Sequence, residues 1–173
     1  MTDLEKYAKP SVAVDLAIMA VVDAKLKVLL VKRPDDDVAG FAMPGGIVRI
    51  NDSLEQTVER VLIEKVGIKG AKFEQLATYG AVNRDPRGRV ISVVYLALCP
   101  PQMFAALPVG DLKIADVVVD WHGETGGTSR VIADDQNLPL AFDHADILGD
   151  VVARLRGKID YSPIGFGLLP AAF

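Results

Sequence analysis

The sequence predicts an α/β sandwich in which a mixed β-sheet lies between helices. Apolar runs rich in Val, Ile and Ala recur along the chain and indicate strands. Two other segments repeat their apolar residues every three or four positions, which is typical of amphipathic helices. One helix falls among the strands and the other follows them, an order that favours one sheet with a helix on each side.

The first two predicted strands form a β-hairpin. They cover Ser11–Val22 and residues 26–33, on either side of a short polar break. Residues 41–50 then form a short strand that is interrupted at Gly45 and Gly46. Adjacent glycines at such a place either make a tight turn or let a ligand approach the backbone.

The first predicted helix has signals at both ends. Ser53 is an N-cap residue, and Gln56 three positions later completes a capping box. Apolar residues follow at helical spacing until Gly67, a residue typical of a helix C-terminus. Further strands are predicted at Phe73–Tyr79, Val90–Leu98, 112–121 and Ser129–Ala133, with a helical turn near 103–108 and a second amphipathic helix at 142–159.

Composition limits the classes of function. The 173 residues are enough for one domain, and 50% hydrophobic with 24% charged residues is the balance of a globular protein. A net charge of -4 argues against a general nucleic-acid binder, because such proteins need a basic surface. The single Cys99 excludes an internal disulfide. With no spanning run and no signal peptide, we expect no membrane partner and a cytoplasmic location.

The segment 46–68 resembles the Nudix box, G-x5-E-x7-R-E-U-x-E-E-x-G-U, where U is a bulky aliphatic residue. The residues that fit, with Asp in place of the first Glu, are Gly46, Asp52, Arg60, Leu62, Glu64, Gly67 and Ile68. The preceding residues 41–46 are similar to the W-x-L-P-G-G entry of that family. The resemblance implies a Nudix-type α/β/α sandwich.

Two box positions depart from the family pattern. Val61 and Lys65 replace glutamates that hold Mg²⁺ or Mn²⁺ in active members, and they lie four apart on one helical face. Val61 offers no oxygen ligand, and Lys65 brings a positive charge where a dication would bind. We therefore expect little or no hydrolysis and no required cofactor. Glu64 is expected to form an i, i+4 pair with Arg60 rather than to bind metal.

A second resemblance covers nearly all of residues 10–173. Segments such as NRDPRGRVISVVYLAL and LPLAFDHADIL are similar to the Nudix-like domains of NrtR-type transcriptional regulators of NAD metabolism. The resemblance implies that residues 1–159 bind ADP-ribose or a related nucleoside diphosphate and form a homodimer. Residues 160–173 resemble the linker to a winged-helix domain. DNA would be bound only through that domain, which this chain does not contain.

Candidate ligand-binding residues surround the glycine pair. The guanidinium groups of the NRDPRGR loop suit bidentate phosphate contacts, although a hairpin loop with solvated arginines is the structural alternative. An aromatic ring, from Phe41 or Tyr79, is a candidate to stack on the nucleoside. His144 is expected to cap or to hydrogen-bond in the core. The predicted ligand-binding set is Arg33, Phe41, Gly45, Gly46, Lys65, Arg84, Asp85 and Arg87.

Two other functions remain open from sequence. The first is a metal-dependent hydrolase of ADP-ribose or a sugar nucleotide with relocated ligands, drawn from Asp52, Glu55, Glu59 and Glu64. In that case Asp52 and Glu64 would hold Mg²⁺. The second is a scaffold whose interface is the function. Under the leading hypothesis the Lys65 ammonium contacts the ligand's diphosphate and replaces part of the metal's charge neutralisation.

Overall fold

A mixed β-sheet forms the centre of the fold. The structure is a computed structural model that describes residues 3–34, 38–107, 110–121 and 126–159. Within these residues the nine strands are Ser11–Val22 (β1), Lys25–Lys32 (β2), Phe41–Ala42 (β3), Gly45–Ile47 (β4), Phe73–Tyr79 (β5), Val90–Leu98 (β6), Leu112–Val119 (β7), Ser129–Ala133 (β8) and Gln136–Leu138 (β9). The helices are Leu54–Val61 (α1), Pro101–Ala105 (α2) and His144–Ile159 (α3), with a 3₁₀ turn at Asp3–Lys6 and a π-helical turn at Leu62–Val66.

Strand β1 has a parallel neighbour on one side and antiparallel neighbours on the other. It pairs in parallel with β6 along residues 11–19, and antiparallel with β2 only near the hairpin turn. Beyond that turn β1 and β2 diverge, and the segment 41–47 enters the gap between them. There β4 pairs with residues 13–15 of β1, while β3 pairs with residues 31–32 of β2. This insertion places the glycine pair at the centre of the sheet.

The two faces of the sheet have separate apolar cores. Along β1, Val14, Leu16 and Ile18 belong to the core that α1 covers. Ala17 and Met19 belong to the core that α3 covers. This period of two places alternate residues on opposite faces, and both sets are buried. The predicted sandwich with a helix on each side is confirmed.

The first helix begins and ends where the sequence predicts. The Ser53 side chain accepts a hydrogen bond from the Gln56 backbone, and the Gln56 side chain accepts one from the Ser53 backbone, so the capping box is formed. Gly67 ends the segment in the left-handed conformation, with φ of 79°. The last turn is π-helical, a feature that the regular spacing of the sequence does not predict.

The predicted pair of Arg60 with Glu64 is wrong. Among the described residues the ion pair of Arg60 is with Asp52, at 3.3 Å, and its guanidinium also donates to the Ile47 carbonyl. The π-helical turn that begins at Leu62 changes the helical repeat, so residues four apart no longer lie one above the other.

Most other sequence expectations agree with the structure. Strands β1, β5, β6 and β8 have the predicted bounds, whereas the short β9 was not predicted. Parts of two predictions lie outside the described residues: position 108 of the predicted helical turn and the whole tail 160–173. Within the described part of the chain, no helix has the length and apolar character needed to cross a membrane.

Candidate functional site

A cavity of about 320 Å³ lies where β1 and β2 diverge. The glycine pair of β4 forms one wall, and the π-helical turn contributes Lys65. The loop before β6 and the start of α3 also line it, together with β1 and the end of β2. The cavity therefore collects residues from six separate parts of the chain.

Positive charge predominates in the cavity. Its cationic side chains are Lys32, Arg33, Lys65, Arg84 and Arg87. The carboxylates in the same lining, among the described residues, are Asp15 and Asp85. Asp143, which pairs with Arg84, adds a third, and within this part of the chain the cations still outnumber the carboxylates, so the cavity is suited to an anionic ligand.

The two substituted box positions both face β4. Lys65 Nζ donates a hydrogen bond to the Gly45 carbonyl at 2.5 Å. Val61 is buried, and its Cγ2 lies 2.9 Å from the place that a Cβ on Gly46 would occupy. One side chain thus packs against the glycine pair, and the other brings its ammonium group into the cavity.

A network of buried charges lies beneath the glycine pair. Arg84 donates two hydrogen bonds to Asp143, at 2.9 and 2.6 Å, and its guanidinium is 3.8 Å from Asp15. Its side chain is only 4% exposed. Gly45 must be a glycine because an added Cβ would lie 2.2 Å from Asp15 Oδ1. The guanidinium of Arg84, predicted to bind phosphate, is therefore already engaged within the protein.

His144 connects this network to the backbone. Its Nδ1 accepts a hydrogen bond from the Met43 amide at 3.0 Å, so the neutral ring carries its proton on Nε2, 3.7 Å from Asp15. The expected core hydrogen bonding is confirmed. Burial alone would raise the pKa of the Asp15 carboxyl. The contacts with His144 and Ser92 and the charge of Arg84 outweigh burial and lower that pKa below its ordinary value.

Among the described residues, the phenyl ring that lines the cavity is that of Phe142. Arg33 Cζ lies 4.9 Å from its centroid, and Arg87 Cζ lies 5.1 Å from it. By contrast, Phe41 packs against the core under α3 and is not among the lining residues. Tyr79 instead donates a hydrogen bond to Asp150 at 2.8 Å. Sequence reasoning missed Phe142 because its proximity to the arginines arises only from the tertiary fold.

The remaining predicted residues divide into two groups. Asp85 is buried and accepts hydrogen bonds from Arg87, an interaction that lowers the Asp85 pKa. Asp85 and Arg87 both line the cavity, as do Gly45 and Gly46. Asp52 and Glu64 are not among the lining residues. Asp15 is the second residue that sequence reasoning missed as a site residue, and the signal was a single carboxylate within an otherwise apolar strand.

Comparison with known proteins identifies the family. The sequence model of the NUDIX domain matches residues 13–122, more than half of the chain. The chain belongs to the Nudix family. Two relatives with assigned functions resemble nearly all of this Nudix chain. The ADPR responsive transcriptional repressor NtrR of Acinetobacter baylyi is 32% identical over 170 residues, which cover 96% of this chain and 63% of the repressor.

The second relative of the Nudix chain is an enzyme. The ADP-ribose pyrophosphatase of Methanocaldococcus jannaschii is 35% identical over 162 residues, covering 90% of this chain and 82% of the enzyme. A solved structure, the NUDIX domain of Shewanella oneidensis NrtR complexed with ADP ribose, is 31% identical with a TM-score of 0.66. It covers 90% of this chain and 99% of that domain. The chain spans less than two thirds of the length of the repressor that it matches.

The divalent metal implied by the Nudix family does not fit the donor set of the described residues. Hard dications require several oxygen ligands. The two box positions carry a buried Val61 and the cationic Lys65. Across the described ranges, no group of three His, Cys, Asp or Glu side chains is placed to hold a metal ion. The described residues of this site therefore lack the oxygen ligands that a metal-dependent step would need.

Proposed function

We propose that the cavity binds ADP-ribose, or a related nucleoside diphosphate, as the effector of a transcriptional regulator. Hydrolysis is weak or absent. The similarity to an ADPR responsive repressor and to a NUDIX domain complexed with ADP ribose supports the ligand class. The excess of cationic side chains in the cavity supports a ligand that carries a diphosphate.

The position of Lys65 is the observation that carries the proposal. Its ammonium group lies in the cavity on the Gly45 carbonyl, where the family pattern implies a metal-binding carboxylate. A compact cation neutralises phosphate charge but does not act as a Lewis acid on a phosphoryl oxygen. Binding therefore needs no metal, and the bridging bond of the diphosphate is left without the polarisation that hydrolysis requires.

The proposed regulatory role requires a domain that contacts DNA. We infer that residues 1–159 form the sensing domain and that residues 160–173 form a linker to a DNA-binding domain. The chain alone has a net charge of -4 and is a poor general binder of phosphate backbones, so DNA would contact that other domain. A homodimer in the cytoplasm, controlling genes of NAD metabolism, completes the proposal.

A metal-dependent hydrolase is the second candidate. The observation that favours it is the 35% identity to an ADP-ribose pyrophosphatase over 90% of this chain. Under this alternative Asp52 and Glu64 hold Mg²⁺, and both ligand affinity and turnover depend on the metal. Asp52 would first have to leave its ion pair with Arg60.

Calorimetric titration of ADP-ribose into three forms of the protein tests the proposal. Lys65→Ala is expected to weaken binding by about 1.5–3 kcal/mol, the contribution of a hydrogen bond to a charged group. Lys69→Ala is the matched control, because Lys69 is exposed and is not among the cavity-lining residues. If the two substitutions change the ADP-ribose affinity equally, the ligand does not bind beside Lys65.

A further inference from the structure

The ring of Phe142 connects two arginines that come from distant parts of the chain. Arg33 follows β2, and Arg87 lies in the loop before β6, yet both guanidinium carbons are within 5.1 Å of the same ring centroid. This distance is in the range of cation–π attraction. Both arginines and the ring line the cavity. The ring is therefore a common support for two cavity cations.

The backbone of Phe142 is held in an unfavourable conformation. Its φ of 57° is in the left-handed region, which a bulky residue other than glycine rarely adopts. Such strain persists only where the surrounding structure imposes it, and it concentrates at functional sites.

Contacts on either side of Phe142 show what imposes this strain. The Ala141 amide donates to the Phe41 carbonyl at 2.8 Å, which attaches the chain before the ring to β3. After the ring, Asp143 receives both hydrogen bonds from Arg84, and His144 accepts one from Met43. The backbone on both sides of Phe142 is therefore held in place before any ligand enters.

We propose that Phe142 is a positioning residue, which holds the Arg33 and Arg87 guanidinium groups toward one diphosphate. The inference rests on the proposed function and adds the residue that preorganises its phosphate contacts. Arg33 also donates to the Val38 carbonyl at 2.9 Å, and Arg87 pairs with Asp85 at 2.8 Å. These bonds anchor each arginine to its own loop, and the shared ring fixes the distance between the two groups. Preorganisation of this kind reduces the entropy lost on binding.

The experiment is a titration of ADP-ribose into variants that remove or retain the aromatic ring. Phe142→Leu is expected to weaken binding by about 5- to 100-fold, the range expected when two arginine side chains must be ordered on binding. Phe142→Tyr retains the ring and is expected to bind within about twofold of wild type. Phe73→Leu is the matched control. The Phe73 ring also packs against another side chain, with its centroid 5.7 Å from that of the Tyr95 ring, but Phe73 is not among the cavity-lining residues.

Two further readouts separate positioning from simple packing. The effect of Phe142→Leu should shrink at high salt, because it acts through contacts between guanidinium and phosphate groups. It should also shrink in an Arg33→Ala background, since one of the two supported cations is then gone. If Phe142→Leu does not fold, Phe142→Met provides the same comparison.

Several results would overturn the inference. Unchanged affinity in Phe142→Leu, a Tyr variant as weak as the Leu variant, or full additivity with Arg33→Ala would each show that the ring does not act through the arginines. A wild-type protein that does not bind ADP-ribose would instead contradict the proposed function, and this inference would be lost with it.

Discussion

Replacement of Arg84 by Ala tests the charged network beneath the cavity. The substitution removes two hydrogen bonds to Asp143 and leaves the carboxylates of Asp143 and Asp15 without their guanidinium. The Arg84 side chain is 4% exposed and the two carboxylates are 22% and 14% exposed, so water replaces little of what is lost. Breaking a buried pair costs about 3–5 kcal/mol, and we expect the lower end, about 3 kcal/mol, because Asp143 is partly exposed.

Urea denaturation measures this loss. With a slope of about 2 kcal/mol per molar urea, a loss of about 3 kcal/mol lowers the midpoint by about 1.5 M. Arg130→Ala is the matched control, since Arg130 also contacts both oxygens of one carboxylate, that of Asp120, at 3.1 and 3.2 Å. That pair is solvent-exposed, with side chains 49% and 65% accessible, and its loss should cost less than about 1 kcal/mol.

The destabilisation of Arg84→Ala should depend on pH. The folded-state pKa of Asp15 lies below the ordinary 3.8, so its stabilising effect is present above 3.8 and disappears as the pH falls through the folded value. The contacts with His144 and Ser92 lower this pKa more strongly than the charge of Arg84 does, so only part of the difference between wild type and Arg84→Ala should disappear below pH 3.8. Equal effects for Arg84→Ala and Arg130→Ala at neutral pH would refute the network.

Three other predictions follow from single features of the fold. Ser53→Ala removes the capping box and should lower the free energy of unfolding by about 1 kcal/mol, measured in urea. Gly45→Ala places a Cβ 2.2 Å from Asp15 Oδ1 and should destabilise by about 1–3 kcal/mol through overpacking. The double substitution Val61→Glu, Lys65→Glu places two carboxylates beside β4 and should make ADP-ribose binding sensitive to a chelator.

Each of these predictions has a result that opposes it. Gly80→Ala is the control for Gly45→Ala, because a Cβ there meets no atom within 4 Å. Equal unfolding free energies for these two variants would contradict the close approach of Asp15. An unchanged unfolding free energy in Ser53→Ala would show that the capping box does not stabilise the fold. If EDTA does not change ADP-ribose binding by the double Glu variant, more than two metal ligands are missing.

The fold was largely predictable because its signals are local. The apolar run of β1, the capping box at Ser53 and the glycine at position 67 each depend on a few neighbouring residues, and each is formed as expected. The π-helical turn at Leu62–Val66 was not predictable, since the sequence there is compatible with a regular helix. It is also the reason that the expected pair of Arg60 with Glu64 is not formed.

The candidate site was predictable only in part. Lys65 and the glycine pair carry family-like spacing within one segment, so the sequence identifies them. Phe142, in contrast, meets Arg33 across 109 positions, because residues 139–141 lie against β3. Only the register of the sheet brings them together. The same reasoning explains why the internal use of Arg84 by Asp143 was not anticipated.

Metal-independent binding is the central claim, and one titration of wild-type protein tests it most directly. ADP-ribose is titrated calorimetrically in EDTA and again in excess Mg²⁺, and product is assayed in the second sample. Because the ammonium of Lys65 stands in the cavity, we expect the same affinity in both conditions and negligible product. Loss of binding in EDTA, or turnover on the order of 10 s⁻¹ with Mg²⁺ as in a median enzyme, would contradict the claim.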